Sequence, residues 1–178
     1  MEEFKRLNRE LISKGSIIDY YKDTVLVPNG NIVKWDFIGH KGAAAIVPIT
    51  LDGKVVMVRQ YRNALDRYTW EIPAGGLDTP DEPTLDAAIR ELGEETGYTA
   101  ETVEFLIGIR TAVAFCNEKI DIYVAMGLTK GEQSLDEDEF IHIKEFALDE
   151  LVEMIYDGTI EDNKTISAIL AYKNKYKK

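Results

Sequence analysis

Basic residues are in short supply: 21 Lys and Arg face 32 Asp and Glu, a formal charge of −11 over 178 residues. A protein that tracks a nucleic-acid backbone needs the opposite balance, so duplex DNA or RNA is not an expected partner. Cysteine is scarcer still. The lone Cys116 excludes an intrachain disulfide or a cysteine zinc site and suits a reducing, cytoplasmic setting. Long hydrophobic runs are missing too. The cleanest, Gly42 to Leu51, is about half the ~20 residues that span a bilayer and reads as a buried strand. The opening MEEFKRLNRELI is charged throughout, so no secretory signal is expected.

What is present is acid, unevenly spread. Between Glu71 and Glu104 lie ten carboxylates, and Arg90 is the only base among them. A second cluster runs from Glu132 to Glu139, whereas the C-terminus ends in Lys173, Lys175, Lys177 and Lys178. Such density costs stability by self-repulsion unless something neutralises it. Two readings stand side by side: a solvated acidic face, or a site for multivalent cations.

Hydrophobic residues at 45% predict one folded core rather than disorder. Ile17 to Val27 and Ile32 to Ile38 are β-branched and aromatic around Pro28-Asn29-Gly30, which predicts a hairpin. Ala43 to Leu51 and Lys54 to Tyr61 flank Asp52-Gly53, the strongest short hairpin signal in the chain. Gly75-Gly76 and Asp78 to Pro83 predict a loop. A helix is expected from Leu85 to about Thr96, with Thr84 as its N-cap and Gly97 closing its C-terminus. Thr102 to Thr111, Lys119 to Leu128 and Phe140 to Ile143 read as strands. Two amphipathic helices follow, near Asp149 to Tyr156 and Asn163 to Lys175. The pattern is α+β, a mixed sheet packed between helices with an antiparallel β-region before it.

On the predicted helix, Leu85, Ala88, Ile89 and Leu92 share one apolar stripe, expected to face the sheet. Glu91, Glu94 and Glu95 fall at i, i+3 and i+4 in an arc beside it. Three ionised carboxylates so close repel by on the order of 1 kcal/mol per pair even when solvated. Arg90 relieves part of this by its i,i+4 spacing to Glu94. Oxygen-only donors at this density suit Mg²⁺ or Mn²⁺ rather than zinc.

Gly76, Glu82, Arg90, Glu91, Leu92, Glu94, Glu95, Gly97 and Tyr98 stand in the spacing G-x5-E-x7-R-E-U-x-E-E-x-G-U, where U is a bulky apolar residue. That spacing resembles the Nudix box of the Nudix (MutT-like) hydrolases. Val58-Arg59-Gln60-Tyr61-Arg62 and Glu71-Ile72-Pro73-Ala74-Gly75 resemble the run before the box in the ADP-ribose pyrophosphatase branch, and the likeness covers roughly residues 15 to 145.

The resemblance implies hydrolysis of a nucleoside diphosphate sugar, ADP-ribose or a relative, with Mg²⁺ or Mn²⁺ as cofactor. It assigns Glu91 and Glu95 as principal metal ligands, Glu94 as support and the Ala74 carbonyl as a further ligand. From the loop Asp136 to Glu139 it implies Glu137 as general base and Glu139 as a ligand. Arg59 and Arg62 become candidates for the diphosphate or terminal ribose, Trp35 for stacking on the base, and Glu71 for a substrate contact or a second layer of the metal site. Gly76, Glu82, Arg90 and Gly97 are implied as structural members of the box. Residues 1–40 are expected to be a dimerisation arm of a homodimer, and 41–178 the hydrolase domain.

Two departures matter. The loop before Glu82 is one residue longer than the branch pattern, so Gly75 or Gly76 fills the box glycine's role. In Thr111 to Glu118, Val113 and Ala114 stand where the branch carries Pro-Gly, which puts the sugar pocket and hence substrate choice in question. The alternatives are another Nudix substrate, such as a GDP- or UDP-sugar or a dinucleoside polyphosphate, and a non-catalytic ligand sensor of the same fold.

Overall fold

The computed structural model describes residues 3–177. It divides into two compact units: one runs up to Gly42 and includes Arg110–Lys119, and the other comprises Ala43–Ile109 and Ile120–Lys178.

In the first unit β1 (Lys5–Lys14), β2 (Asp19–Leu26) and β3 (Ile32–Gly39) form an antiparallel sheet in that order. The expected Pro28-Asn29-Gly30 turn joins β2 and β3, with Gly30 at φ 85° donating its N–H to Val27 O at 2.9 Å. β1 was not expected. Almost all its residues are exposed, so no alternation of apolar and polar marks it. Besides its ladder to β2, a side-chain grip holds it. Arg9 grips Asp23 with Nε and Nη2, at 2.7 and 2.6 Å, while its guanidinium carbon lies 3.4 Å from the Phe37 ring centroid. Residues 110–119 complete this unit. Their helical turn, closed by Cys116 N–H on Ala112 O at 2.9 Å, pairs with β3 through Ile38 N–H on Phe115 O at 2.7 Å.

The second unit holds β4 (Ala43–Pro48), β5 (Val55–Arg62), β6 (Arg67–Glu71), β7 (Ala74–Gly76), α1 (Thr84–Thr96), β8 (Tyr98–Arg110), β9 (Lys119–Lys130), β10 (His142–Phe146), α2 (Leu148–Tyr156) and α3 (Asn163–Tyr176). One sheet runs β7-β4-β9-β8 and a second runs β10-β5-β6. Within the first, β4 pairs parallel with β9 and antiparallel with β7, so the sheet is mixed. Every residue of β4 is buried, as a strand covered on both faces requires. Ala43, Ala45 and Val47 join a cluster with Leu151 of α2 and Ile169 of α3, whereas Ala44 and Ile46 join Ala87, Ala88 and Leu92 of α1. The alternation of one strand thus separates α1 on one face from α2 and α3 on the other.

Three local expectations are corrected. Asp52-Gly53 does make a tight turn, with Gly53 N–H on Thr50 O at 2.9 Å, but β4 and β5 share only the bridge Ile49–Val55 and then enter different sheets. Thr84 is not the N-cap of α1. That position is Pro83, without a side-chain cap, and Thr84 Oγ1 bonds Asp121 and the Tyr123 hydroxyl instead. On α1 itself, Leu85 and Ile89 are exposed, while Ala87, Ala88, Glu91, Leu92 and Glu95 are buried. No helix among the described residues is long and apolar enough to cross a membrane.

Candidate active site

α1 carries the acidic arc into the protein rather than out to water. Glu91 and Glu95 are buried at 8% and 3% exposure, on the same side as Leu92, and Glu94 is half-exposed. The helix ends at Gly97, φ 72°, whose N–H caps Gly93 O at 2.8 Å.

Facing that side is the turn between β6 and β7. Ala74 N–H donates to Glu95 Oε2 at 2.9 Å. Gly75 lies so near Glu91 that a Cβ there would overlap the carboxylate, whereas a Cβ at Gly76 would meet nothing within 4 Å. Gly75 therefore supplies the close approach, and Gly76 instead offers its carbonyl to Arg90 Nη2 at 3.2 Å. Arg90 Nη1 also reaches Glu91 Oε1 at 2.6 Å and Glu94 Oε2 at 3.0 Å, and its Nε lies 3.4 Å from Glu82 Oε1. Glu82 in turn accepts Asp78 N–H at 2.6 Å, which folds the extended loop back on itself.

Burial dominates the electrostatics. It pushes the Glu91 carboxyl above the ordinary carboxylate range, with Arg90 opposing and the charges of Glu94 and Glu139 adding. It pushes Glu95 up to about 8, against the Ala74 N–H and helped by the charges of Glu91 and Glu139.

Among the described residues no three His, Cys, Asp or Glu side chains converge into a ready metal shell. Arg90 turns towards Glu91 and Glu94 and occupies that side of the carboxylates. The residues nonetheless fit a hard divalent cation: the donors are all oxygens, two are buried, and the bare Gly75 leaves the Glu91 carboxylate room against the backbone.

The acidic loop is bound to the end of α1. Gly131 N–H donates to Gly97 O at 2.7 Å, Ser134 N–H to Glu94 O at 3.1 Å, and Gln133 Nε2 to Glu95 O at 2.5 Å. At Gly97 a Cβ would come within 2.7 Å of the Glu132 backbone, so that glycine serves the loop as well as the cap. Glu139 closes a turn, its N–H on Asp136 O at 3.0 Å, and its charge is felt at both Glu91 and Glu95. Glu137 sits exposed on the same turn.

The other candidates are placed differently. Arg62 spends Nε and Nη2 on Glu71, at 2.7 and 2.5 Å, rather than pointing that fork outward. Arg59 lies over the rings of Tyr68 and Trp70, at 4.9 and 6.0 Å. Trp35, in the first unit, is half-exposed with Phe4 at 6.1 Å. In the TAVAFCNE segment Val113 is almost fully exposed, and Thr111 Oγ1 donates to Glu118 at 2.6 Å.

Glu71 is 2% exposed, and Thr69 and Lys164 bond it alongside Arg62. Burial alone would raise its carboxyl, but the Arg62 hydrogen bond and the Lys164 charge outweigh that and hold it at about 2. Lys164 and Thr165 were not anticipated from sequence. Their partners Glu71 and Ile72 lie 93 residues away, and no local pattern signals such a contact.

Comparison with known proteins follows the same outline. Residues 39–169 match the family model described as NUDIX domain. The chain is 43% identical over 94% of its length to a methanol dehydrogenase activator of Bacillus methanolicus, covering 91% of that protein. It is 37% identical to an ADP-ribose pyrophosphatase of Bacillus subtilis, with the same coverage of each chain. A crystal structure of an ADP compounds hydrolase superposes with TM-score 0.86 at 23% identity, over 98% of this chain and 94% of that one, a likeness of fold.

Proposed function

This chain belongs to the Nudix family of hydrolases, and on that premise we propose that it splits ADP-ribose, or a closely related nucleoside diphosphate sugar, at the pyrophosphate. The observation that carries the reading is the opposition of buried Glu91 and Glu95 to the Ala74-Gly75 turn. The names of the Bacillus subtilis and Mycobacterium tuberculosis relatives, both ADP-ribose pyrophosphatases, support the choice of substrate.

Use of divalent metal is general in the family, and Mg²⁺ or Mn²⁺ is the cation proposed here. When bound, such an ion lowers the pKa of water and offsets charge on phosphate oxygens. The chain's residues then have separable tasks. Glu91, Glu95 and Glu94, with the Ala74 carbonyl and Glu139, hold the cation. Arg90 keeps Glu91 and Glu94 in register against Gly76 and Glu82. Glu137 accepts a proton from the attacking water, whose oxygen joins one phosphorus as the bridging P–O bond breaks, giving AMP and ribose 5-phosphate. Arg59 and the remaining nitrogen of Arg62 receive the diphosphate or ribose.

Residues 1–40 are proposed as the arm of a homodimer, a reading supported by exposed Leu7, Leu11 and Ile18 on β1 and just before β2. Light scattering at micromolar concentration tests it.

The deciding experiment mixes the protein and its Glu95→Gln variant with Mg²⁺ or Mn²⁺ and a panel: ADP-ribose, GDP-mannose, UDP-glucose, diadenosine polyphosphates and nucleoside triphosphates. AMP and ribose 5-phosphate released fastest from ADP-ribose, and abolished in the variant, is the expected result. Faster turnover of another compound overturns the substrate, and tight binding without turnover points to a sensor. A second reading, stimulation of a dehydrogenase, is favoured by the 43% identity to the methanol dehydrogenase activator, and adding the protein to a purified methanol dehydrogenase tests it directly.

A further inference from the structure

We propose that Lys164 and Thr165, at the start of α3, are positioning residues of the active site: they clamp Glu71 and Ile72 and so fix the Pro73-Ala74-Gly75 turn against Glu91 and Glu95. The inference rests on the hydrolase reading for its consequence in turnover, though not for its consequence in cation binding.

The geometry forms a continuous path. Lys164 Nζ bonds Glu71 and lies 3.0 Å from Asp162 Oδ2. Thr165 Oγ1 donates to Asp162 Oδ2 at 2.6 Å and accepts Ile72 N–H at 3.0 Å. Two residues further on, Ala74 N–H meets Glu95. One short stretch, 71 to 75, is thus gripped from α3 at one end and from α1 at the other. Between them β4 holds the backbone, with Ile46 N–H on Pro73 O at 2.9 Å and Ala45 and Ala44 opposite Ala74 and Gly75, and Gly75 is the point where Glu91 must fit.

Stability alone does not explain this arrangement. Lys164 is the second residue of its helix, where the N–H ends of the backbone dipoles disfavour a cation. It is also 8% exposed, and burying an ammonium costs several kcal/mol that its ion pairs at best return. An apolar side chain of similar length would serve packing equally well. What an apolar chain cannot do is hold the Glu71 carboxylate, and Glu71 is the residue from which the turn departs.

The test uses the full chain with Lys164→Met, Lys164→Arg and Thr165→Val, first by titrating Mn²⁺ calorimetrically well below the melting temperature of each variant. Lys164→Met is expected to weaken Mn²⁺ binding by about 10-fold or more, as loss of a ligand's supporting contact does, and Lys164→Arg to restore most of it. Thr165→Val, which removes the Ile72 contact and leaves the charge, should fall between. With ADP-ribose, kcat should drop by about 10-fold or more while KM stays within about 3-fold.

Folded Lys164→Met with unchanged Mn²⁺ affinity and kcat overturns the proposal, leaving Lys164 a packing residue. If Lys164→Met does not fold, Thr165→Val decides by the same readings. A wild-type protein that hydrolyses nothing in the panel, yet loses Mn²⁺ affinity in Lys164→Met, refutes the hydrolase reading and leaves the positioning role standing.

Discussion

Gly75 and Glu91 are separated by sixteen residues of sequence and by no room at all: the glycine's missing side chain is the space that the carboxylate fills. Gly76, one residue on, has nothing within 4 Å of the same position. Neither glycine has a positive φ, so alanine is compatible with the backbone at both.

Gly75→Ala is therefore expected to displace the flexible Glu91 side chain rather than the fold. Stability should change by no more than about 1 kcal/mol, while cation affinity and turnover fall about 10- to 100-fold. Gly76→Ala should change either by far less. Parallel melts and Mn²⁺ titrations of the two variants make the comparison.

Glu137 and Glu139 should separate by readout. Glu139→Gln, which removes a charge felt by both buried glutamates, is expected to weaken Mn²⁺ binding. Glu137→Gln should leave that binding intact and lower kcat by about 100-fold or more. Calorimetry beside steady-state kinetics over pH distinguishes the two patterns, and their reversal would exchange the roles.

Glu71 makes stability depend on acid. Its carboxyl sits at about 2 in the fold against an ordinary 4.5, so its contribution is complete above pH 4.5 and drains away as pH falls towards 2. The pairing favours the ionised Glu71 over its protonated form by about 3 kcal/mol. Glu71→Gln should lower the urea midpoint strongly at pH 7 and much less at pH 3. Equal losses at both pH values would deny the ion pairs their part.

Arg9→Met should destabilise the three-stranded sheet by about 2 kcal/mol, because it leaves buried Asp23 without its fork and Phe37 without its cover. Asp23→Asn in the same background should recover part of the loss. Urea unfolding of the single and double variants measures it.

Much of this was legible in local pattern. The β2–β3 hairpin, the span of α1, its Gly97 ending and both terminal helices follow from turn chemistry and helical period. The two exposed residues Leu85 and Ile89 show where that logic stops, since the buried positions they would have claimed went to Glu91 and Glu95. Apolar stripe and carboxylates compete for one side of one helix, and here two glutamates took part of the core. Asp52-Gly53 misled for another reason: a turn residue reports a bend, not which strands pair afterwards. β1 lacks alternation because most of its side chains meet water. The box glutamates were legible from spacing, whereas the supports at Lys164, Thr165, Gln133 and Ser134 are contacts across the fold and carry no mark in their neighbours.

The grip of α3 on Glu71 and Ile72 also sets an order in time. A ribosome completes the Nudix box at Tyr98 long before it reaches Asp162, so a growing chain owns every box glutamate while it still lacks the α3 contacts to Glu71 and Ile72. α3 joins this frame after its other parts are made, and a message cut short before it yields a chain that carries the box without the α3 clamp on Glu71 and Ile72.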